Sequence, residues 1–189
     1  MSDDLPSSTD EPGKGGWWSR LLHGRDEGVK ARADVVAFLG ECRRRNLLAG
    51  EEHAMLQGVL KVSETQVRDI MVPRSHMVVL ELDDPPATLL DTIINSGHSR
   101  FPVIGEDRDE VVGILLAKDL LKHVAAGQAS DAFEVKKLLR PAVFIPESKR
   151  LNPLLTQFRE SHNHIAIVVD EYGGVAGLAT IEDVLEQIV

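Results

Sequence analysis

The sequence predicts an α/β (α+β) fold in which one β-α-β-β-α unit occurs twice, preceded by two short helices and an N-terminal tail. Three observations carry this. Gly113-Ile114-Leu115-Leu116-Ala117-Lys118-Asp119 is echoed by Gly177-Leu178-Ala179-Thr180-Ile181-Glu182-Asp183, with the glycines and the aspartates each 64 positions apart. Each stretch reads as a buried strand that leaves a Gly and runs into a helix carrying an Asp in its first turn. The apolar runs Phe101-Pro102-Val103-Ile104 and Ile165-Ala166-Ile167-Val168 lie at the same offset. A repeat of this kind predicts one pseudo-symmetric body with equivalent clefts, and hence a ligand site.

In chain order, residues 1–28 are Ser, Asp, Pro and Gly-rich, with Trp17-Trp18 as the only aromatic pair. Too little surface can be buried there to offset chain entropy, so a disordered tail is expected. Residues 29–66 form a helical segment. Val35, Val36, Phe38, Leu39 and Cys42 make one apolar stripe, and Met55, Leu56, Val59 and Leu60 another. Ser63-Glu64-Thr65-Gln66 has capping-box spacing and predicts a further short helix through Val67, Ile70 and Met71, ended by Pro73.

The first copy spans residues 67–128 and the second 135–189. In the first, a strand at 77–81 leads to a helix that Asp84 caps and Gly97 stops, then strands at 101–104 and 110–115 and a helix at 117–124. The second matches it, with a strand at 143–146, a helix capped by Ser148, strands at 165–169 and 175–179, and a helix from Ile181. Val67, Ile70, Met71 and Pro73 are echoed by Val135, Leu138, Leu139 and Pro141, now 68 apart, which places four extra residues just after Pro73. Tyr172-Gly173-Gly174 supplies a turn with positive φ.

Composition narrows the function. A net charge of −9 argues against a nucleic-acid partner, and Arg43-Arg44-Arg45 is too short a basic run to reverse that. No stretch approaches the roughly 20 apolar residues of a spanning helix, and the acidic start lacks a secretion signal, so a cytoplasmic location is expected. The lone Cys42 excludes an internal disulfide framework and is expected as a buried thiol on a helix.

Val67-Arg68-Asp69-Ile70-Met71-Val72-Pro73-Arg74, His98-Ser99-Arg100-Phe101-Pro102-Val103, Pro146-Glu147-Ser148-Lys149-Arg150 and Asp170-Glu171-Tyr172-Gly173-Gly174-Val175 occur in this order. On these motifs the two units resemble a pair of CBS domains of the CorC/HlyC family. The resemblance covers about residues 62–189 densely and the two preceding helices more loosely. It implies an adenosine nucleotide (AMP, adenosine or ATP) in a cleft between the units, with Mg²⁺ able to arrive on ATP phosphates. It implies a homodimer, a part in magnesium and cobalt efflux, and a membrane transporter partner that brings the chain to the inner membrane. Family members carry a further C-terminal domain, so a chain ending at Val189 inside a helix is expected to be a fragment.

The resemblance also suggests site residues. Asp183 accepts from ribose hydroxyls, and Thr180 offers its hydroxyl to ribose or phosphate. His98, Ser99 and Arg100 stand at the phosphate end, Arg100 as a bidentate clamp, with Phe101 and Pro102 lining the adenine. A weaker second site is expected around Asp119 and His164, because Leu116 stands where the second copy has Thr180. The bland alternative is that Thr180-Ile181-Glu182-Asp183 is a capping box and nothing more. His162 and His164 are two apart without a matching Cys or carboxylate, so no metal site is expected, and His98 aligns with His162 at the 64-residue offset. No Gly-rich phosphate loop, nucleophile motif or Ser/His/Asp set supports catalysis. Two readings stand: a regulatory nucleotide sensor, and a dimerisation scaffold with vestigial clefts whose function lies in an absent C-terminal domain.

Overall fold

The computed structural model describes residues 31–107, 109–126 and 134–189. The expected tail and its Trp17-Trp18 pair lie outside the described residues. The chain divides into two compact units at His53/Ala54. In the first unit, α1 (Arg32–Arg44) starts where the Asp34 carboxylate accepts from the Ala31 N–H at 3.0 Å, and carries Arg43 and Arg44 in its last turn. Both ends thus oppose the helix dipole. Arg45 and Arg44 pair with Glu41 and hold its carboxyl below the usual range. Cys42 is half-buried, not buried, because no residue of α1 is fully enclosed.

α2 (Gly50–Val62) begins in the first unit and ends in the second, where Val62 enters a core. The next turn is a three-residue 3-10 helix, Val67–Asp69, not the longer helix expected. Its cap also differs: Asp69 accepts from the Gln66 N–H at 2.9 Å, while the Ser63 hydroxyl donates back to the Leu60 carbonyl at 2.8 Å.

The first copy then supplies β1 (Val72–Pro73), β2 (Leu80–Glu81), α3 (Pro86–Ser96), β3 (Arg100–Ile104), β4 (Val111–Leu116) and α4 (Ala117–Ala125). The second supplies β5 (Phe144–Pro146), α5 (Leu151–Ser161), β6 (Ile165–Val169), β7 (Val175–Thr180) and α6 (Ile181–Leu185). Neither Asp84 nor Ser148 caps: α3 begins after Pro85 with Pro86 at its first position, and α5 begins after Arg150. Proline needs no N–H partner there, which makes a side-chain cap less necessary. Gly97 does end α3 in the left-handed region, at φ 69°.

The sheets are not confined to their own copies. One has the order β1-β7-β6-β5 and the other β2-β3-β4. β1 of the first copy pairs antiparallel with β7 of the second, and Arg140, entering the second copy, bridges Ile114 of β4 through backbone bonds of 2.9 and 3.0 Å. Each copy's entry segment therefore crosses onto the other copy's sheet. This crossing explains the repeated glycines. A Cβ on Gly177 would collide with the Val72 carbonyl, and one on Gly113 would lie 2.9 Å from the Arg140 carbonyl oxygen.

The cores follow the same exchange. One joins Leu151, Leu154, Phe158, Ala166 and Val168 of the second copy to Val62, from α2, and to Val67, at the start of the first. Another joins Leu89, Phe101, Val103 and Leu115 of the first to Val135 of the second. A third lies between the sheets, built from Ile114, Leu116, Ile165, Ile167, Val175 and Leu178.

Register corrects the repeat alignment. Phe101 opposes Leu115 as Ala166 opposes Ala179, and Val103 opposes Gly113 as Val168 opposes Gly177. β3 and β6 thus correspond at 65 residues, whereas β4 and β7 correspond at 64. Three of the four extra residues follow Pro73, and the fourth lies in the β3–β4 hairpin. The structural counterpart of Arg100 is Ile165, not His164, and His162 matches Gly97 as the left-handed residue ending its helix, at φ 53°. Strand side chains alternate faces, so a one-residue slip exchanges core for surface.

Gly177→Ala is expected to destabilise the chain by about 1–3 kcal/mol, the usual penalty of overpacking, because the obstacle is backbone. Gly97→Ala meets no neighbouring atom and should cost less, about 1 kcal/mol from its positive φ alone. Denaturant melts of the two variants check the order.

Candidate nucleotide cleft

β7 delivers Thr180 and α6 delivers Asp183 to the mouth of a cleft of about 380 Å³, within the ~300–1,000 Å³ typical of small-molecule sites. The α3–β3 turn of the first copy brings His98, Ser99 and Arg100 to the same cleft, and His164 joins them. The structure therefore gathers Asp183, Thr180, His98, Ser99 and Arg100, drawn from both copies, into one hollow. Its apolar wall was not anticipated: Val72, Met77, Val78, Ile165 and Leu178. Val72 reaches it only because β1 crosses onto β7. The parallel between residues 67–73 and 135–141 marked both entry segments, but nothing in it showed that they exchange sheets.

Phe101 and Pro102 do not line this cleft. Along β3 the side chain of Phe101 points away from that of Arg100 and is fully enclosed with Leu89 and Leu115. Its ring lies 6.1 Å from that of His98, tilted by 56°, and so supports the turn from beneath. Pro102 is buried opposite Ile114.

Thr180 and Asp183 form a complete capping box. The Asp183 carboxylate accepts from the Thr180 N–H and hydroxyl, both at 2.7 Å, and the Asp183 N–H donates to the Thr180 hydroxyl oxygen at 3.2 Å. The hydroxyl proton of Thr180 is committed to Asp183. Both bonds to the carboxylate use one oxygen, Oδ2. Arg100 is half-buried and has no ion pair among the described residues. His164 Nδ1 stands 3.9 Å from the Glu182 carboxylate. Among the described residues, no group of three or more His, Cys, Asp and Glu is placed to hold a metal ion.

Known proteins share this fold. The CBS domain family matches residues 67–126 and 134–189. A CBS domain of a bacterial CNNM/CorC family Mg²⁺ transporter superposes with TM-score 0.78 at 36% identity, covering 84% of this chain and 96% of that one. The chain belongs to the CBS-domain family, in its CNNM/CorC branch. Such a domain in complex with ATP is 40% identical (TM-score 0.68, 72% of this chain and 96% of that one). A CBS-domain pair with bound AMP from Klebsiella pneumoniae is more distant, at 28% identity and TM-score 0.54 over 66% of this chain and 98% of that one. The magnesium and cobalt efflux protein CorC of Escherichia coli K12 is 45% identical over the whole of this chain. The chain spans 65% of the length of that relative.

The second cleft of this CBS pair is smaller, about 180 Å³, and Asp119 does not line it. Its carboxylate instead accepts from Arg140 Nη2 at 2.9 Å. Arg140 occupies the crossing position that Val72 holds in the first cleft, so one entry segment brings an apolar wall and the other a guanidinium that closes on the acid. His164 lines both clefts.

Thr180→Ala is expected to cost about 0.5–2 kcal/mol of stability through loss of the cap, measurable by thermal or denaturant unfolding.

Proposed function

We propose that this CBS pair is the adenosine-nucleotide-binding regulatory module of a magnesium and cobalt efflux protein. The observation that carries the reading is the convergence of Asp183 and Arg100, from different copies, on one cleft with an apolar wall. ATP in a 40% identical neighbour and AMP in a more distant one support adenosine as the ligand class. In this reading the second oxygen of Asp183, Oδ1, accepts from the ribose while Oδ2 holds the capping box. The base lies against Met77, Val78, Ile165 and Leu178, and Arg100 receives phosphate with His98 and Ser99 beside it. Mg²⁺ travels on the phosphates, using few protein ligands.

Regulation follows from the cleft's being shared. A nucleotide that contacts both copies favours the arrangement in which those contacts coexist, and shifts the equilibrium by its difference in affinity. A homodimer belongs to the same reading, since Ile94 on α3 and Leu121 on α4 remain 65% and 46% exposed and offer apolar surface to a second copy. Transport itself is assigned to a membrane partner, with the module at the cytoplasmic side of the inner membrane. Among the described residues no helix is long and apolar enough to cross a membrane.

Calorimetry with adenosine, AMP and ATP tests the assignment. Asp183→Asn keeps a capping acceptor and removes the charge, and is expected to weaken all three by about 1.5–3 kcal/mol, the size of a charge-assisted hydrogen bond. Unchanged affinity would remove Asp183 from the ribose. Arg100→Ala should weaken AMP and ATP but leave adenosine as it was. Equal losses for all three would remove Arg100 from the phosphate.

A further inference from the structure

The second cleft has a chemistry of its own. Its walls carry Arg100, Lys118, Arg140, His162 and His164, and no carboxylate is among its lining residues. In a chain of net charge −9, that gathering of cationic and cationisable groups on one hollow is a local reversal of sign. A concave, partly dry surface focuses such a field and concentrates counter-ions. Arg140 is pinned by its two backbone bonds to Ile114 and by its ion pair with Asp119, and Lys118 sits in the first turn of α4.

The cleft is poorly suited to a whole nucleotide. Its volume of about 180 Å³ falls below the ~300 Å³ at which small-molecule sites begin, and Asp119, the acid at the place of Asp183, is already engaged by Arg140. What remains is room for one or two tetrahedral anions among nitrogen donors. Arg100 and His164 wall both clefts, so an anion in the second lies next to the phosphate end of the first.

We propose that the second cleft is a phosphate-anion site, filled either by the terminal phosphates of a nucleoside polyphosphate seated in the first cleft or by free pyrophosphate. The first source rests on the nucleotide reading above, and the second does not. Either way the site makes Arg100 and His164 common to both clefts, so occupancy of one alters the other.

The test is calorimetry on the whole chain in divalent-free buffer, with pyrophosphate, adenosine, AMP and ATP as separate probes. Lys118 is exposed and lies outside the first cleft. Lys118→Glu is expected to weaken pyrophosphate by about tenfold or more, the loss of one charge-assisted hydrogen bond, while adenosine binds as before. Arg140→Gln should weaken pyrophosphate similarly, and thermal melts of both variants establish that they fold. If Lys118→Glu also lowers ATP affinity but spares AMP, and pyrophosphate competes with ATP, the anion is the nucleotide's own tail. If pyrophosphate and ATP bind together and Lys118→Glu leaves ATP unchanged, the anion is free. Pyrophosphate that fails to bind the parent chain while ATP binds no tighter than AMP overturns the proposal. So does pyrophosphate affinity that is equal in the parent chain and both folded variants. A chain that binds no adenosine yet loses pyrophosphate with Lys118→Glu would refute the nucleotide reading and leave the anion site standing.

Discussion

The close approach of two backbones at Gly177, and again at Gly113, is the constraint on which the rest of this structure depends. At each glycine an entry segment from one copy lies against a strand of the other, β1 against β7 and Arg140 against β4, near enough that a methyl group would have to displace main chain. Because the segments cross, Val62 and Val67 complete the core of the second copy and Val135 that of the first. The third core, between the sheets, then has Ile165 and Ile167 packed against Ile114 and Leu116. The copies are thereby held at a spacing that leaves two clefts between them.

What distinguishes those clefts is what each crossing segment carries past the acid at the helix start. Val72 leaves Asp183 to its own capping box, with one carboxylate oxygen outside it, whereas Arg140 closes on Asp119. Leu116 cannot supply the hydroxyl that Thr180 does, and Ile165 cannot supply the guanidinium of Arg100. A doubled scaffold has thus acquired two different chemistries through substitutions at equivalent positions, with no change in its topology.

Much of this was legible from residues alone. The twofold repeat, β6 to the residue, the left-handed end at Gly97 and the turn at Gly173 all rest on local signals, which physical chemistry makes strong: apolar runs and glycines that need positive φ. Asp183, Thr180, Arg100, Ser99 and His98 were named from the family likeness and do share a cleft. Three things were hidden. The alignment of β3 with β6 slipped by one because the hairpin differs by a residue, and an apolar strand buried on both faces shows no period to expose the error. Phe101 sits next to Arg100 in sequence and on the opposite face in space, which linear proximity conceals. The exchange of entry segments is a long-range pairing, and nothing local encodes it.

Threading of this kind has a topological meaning. Severing the link between Ala125 and Val135 would not yield two modules, because each half would lack the wedge that fills its interior and would keep one that fills its neighbour's. The interlocked pair is the indivisible unit, and each hollow is walled by both halves at once.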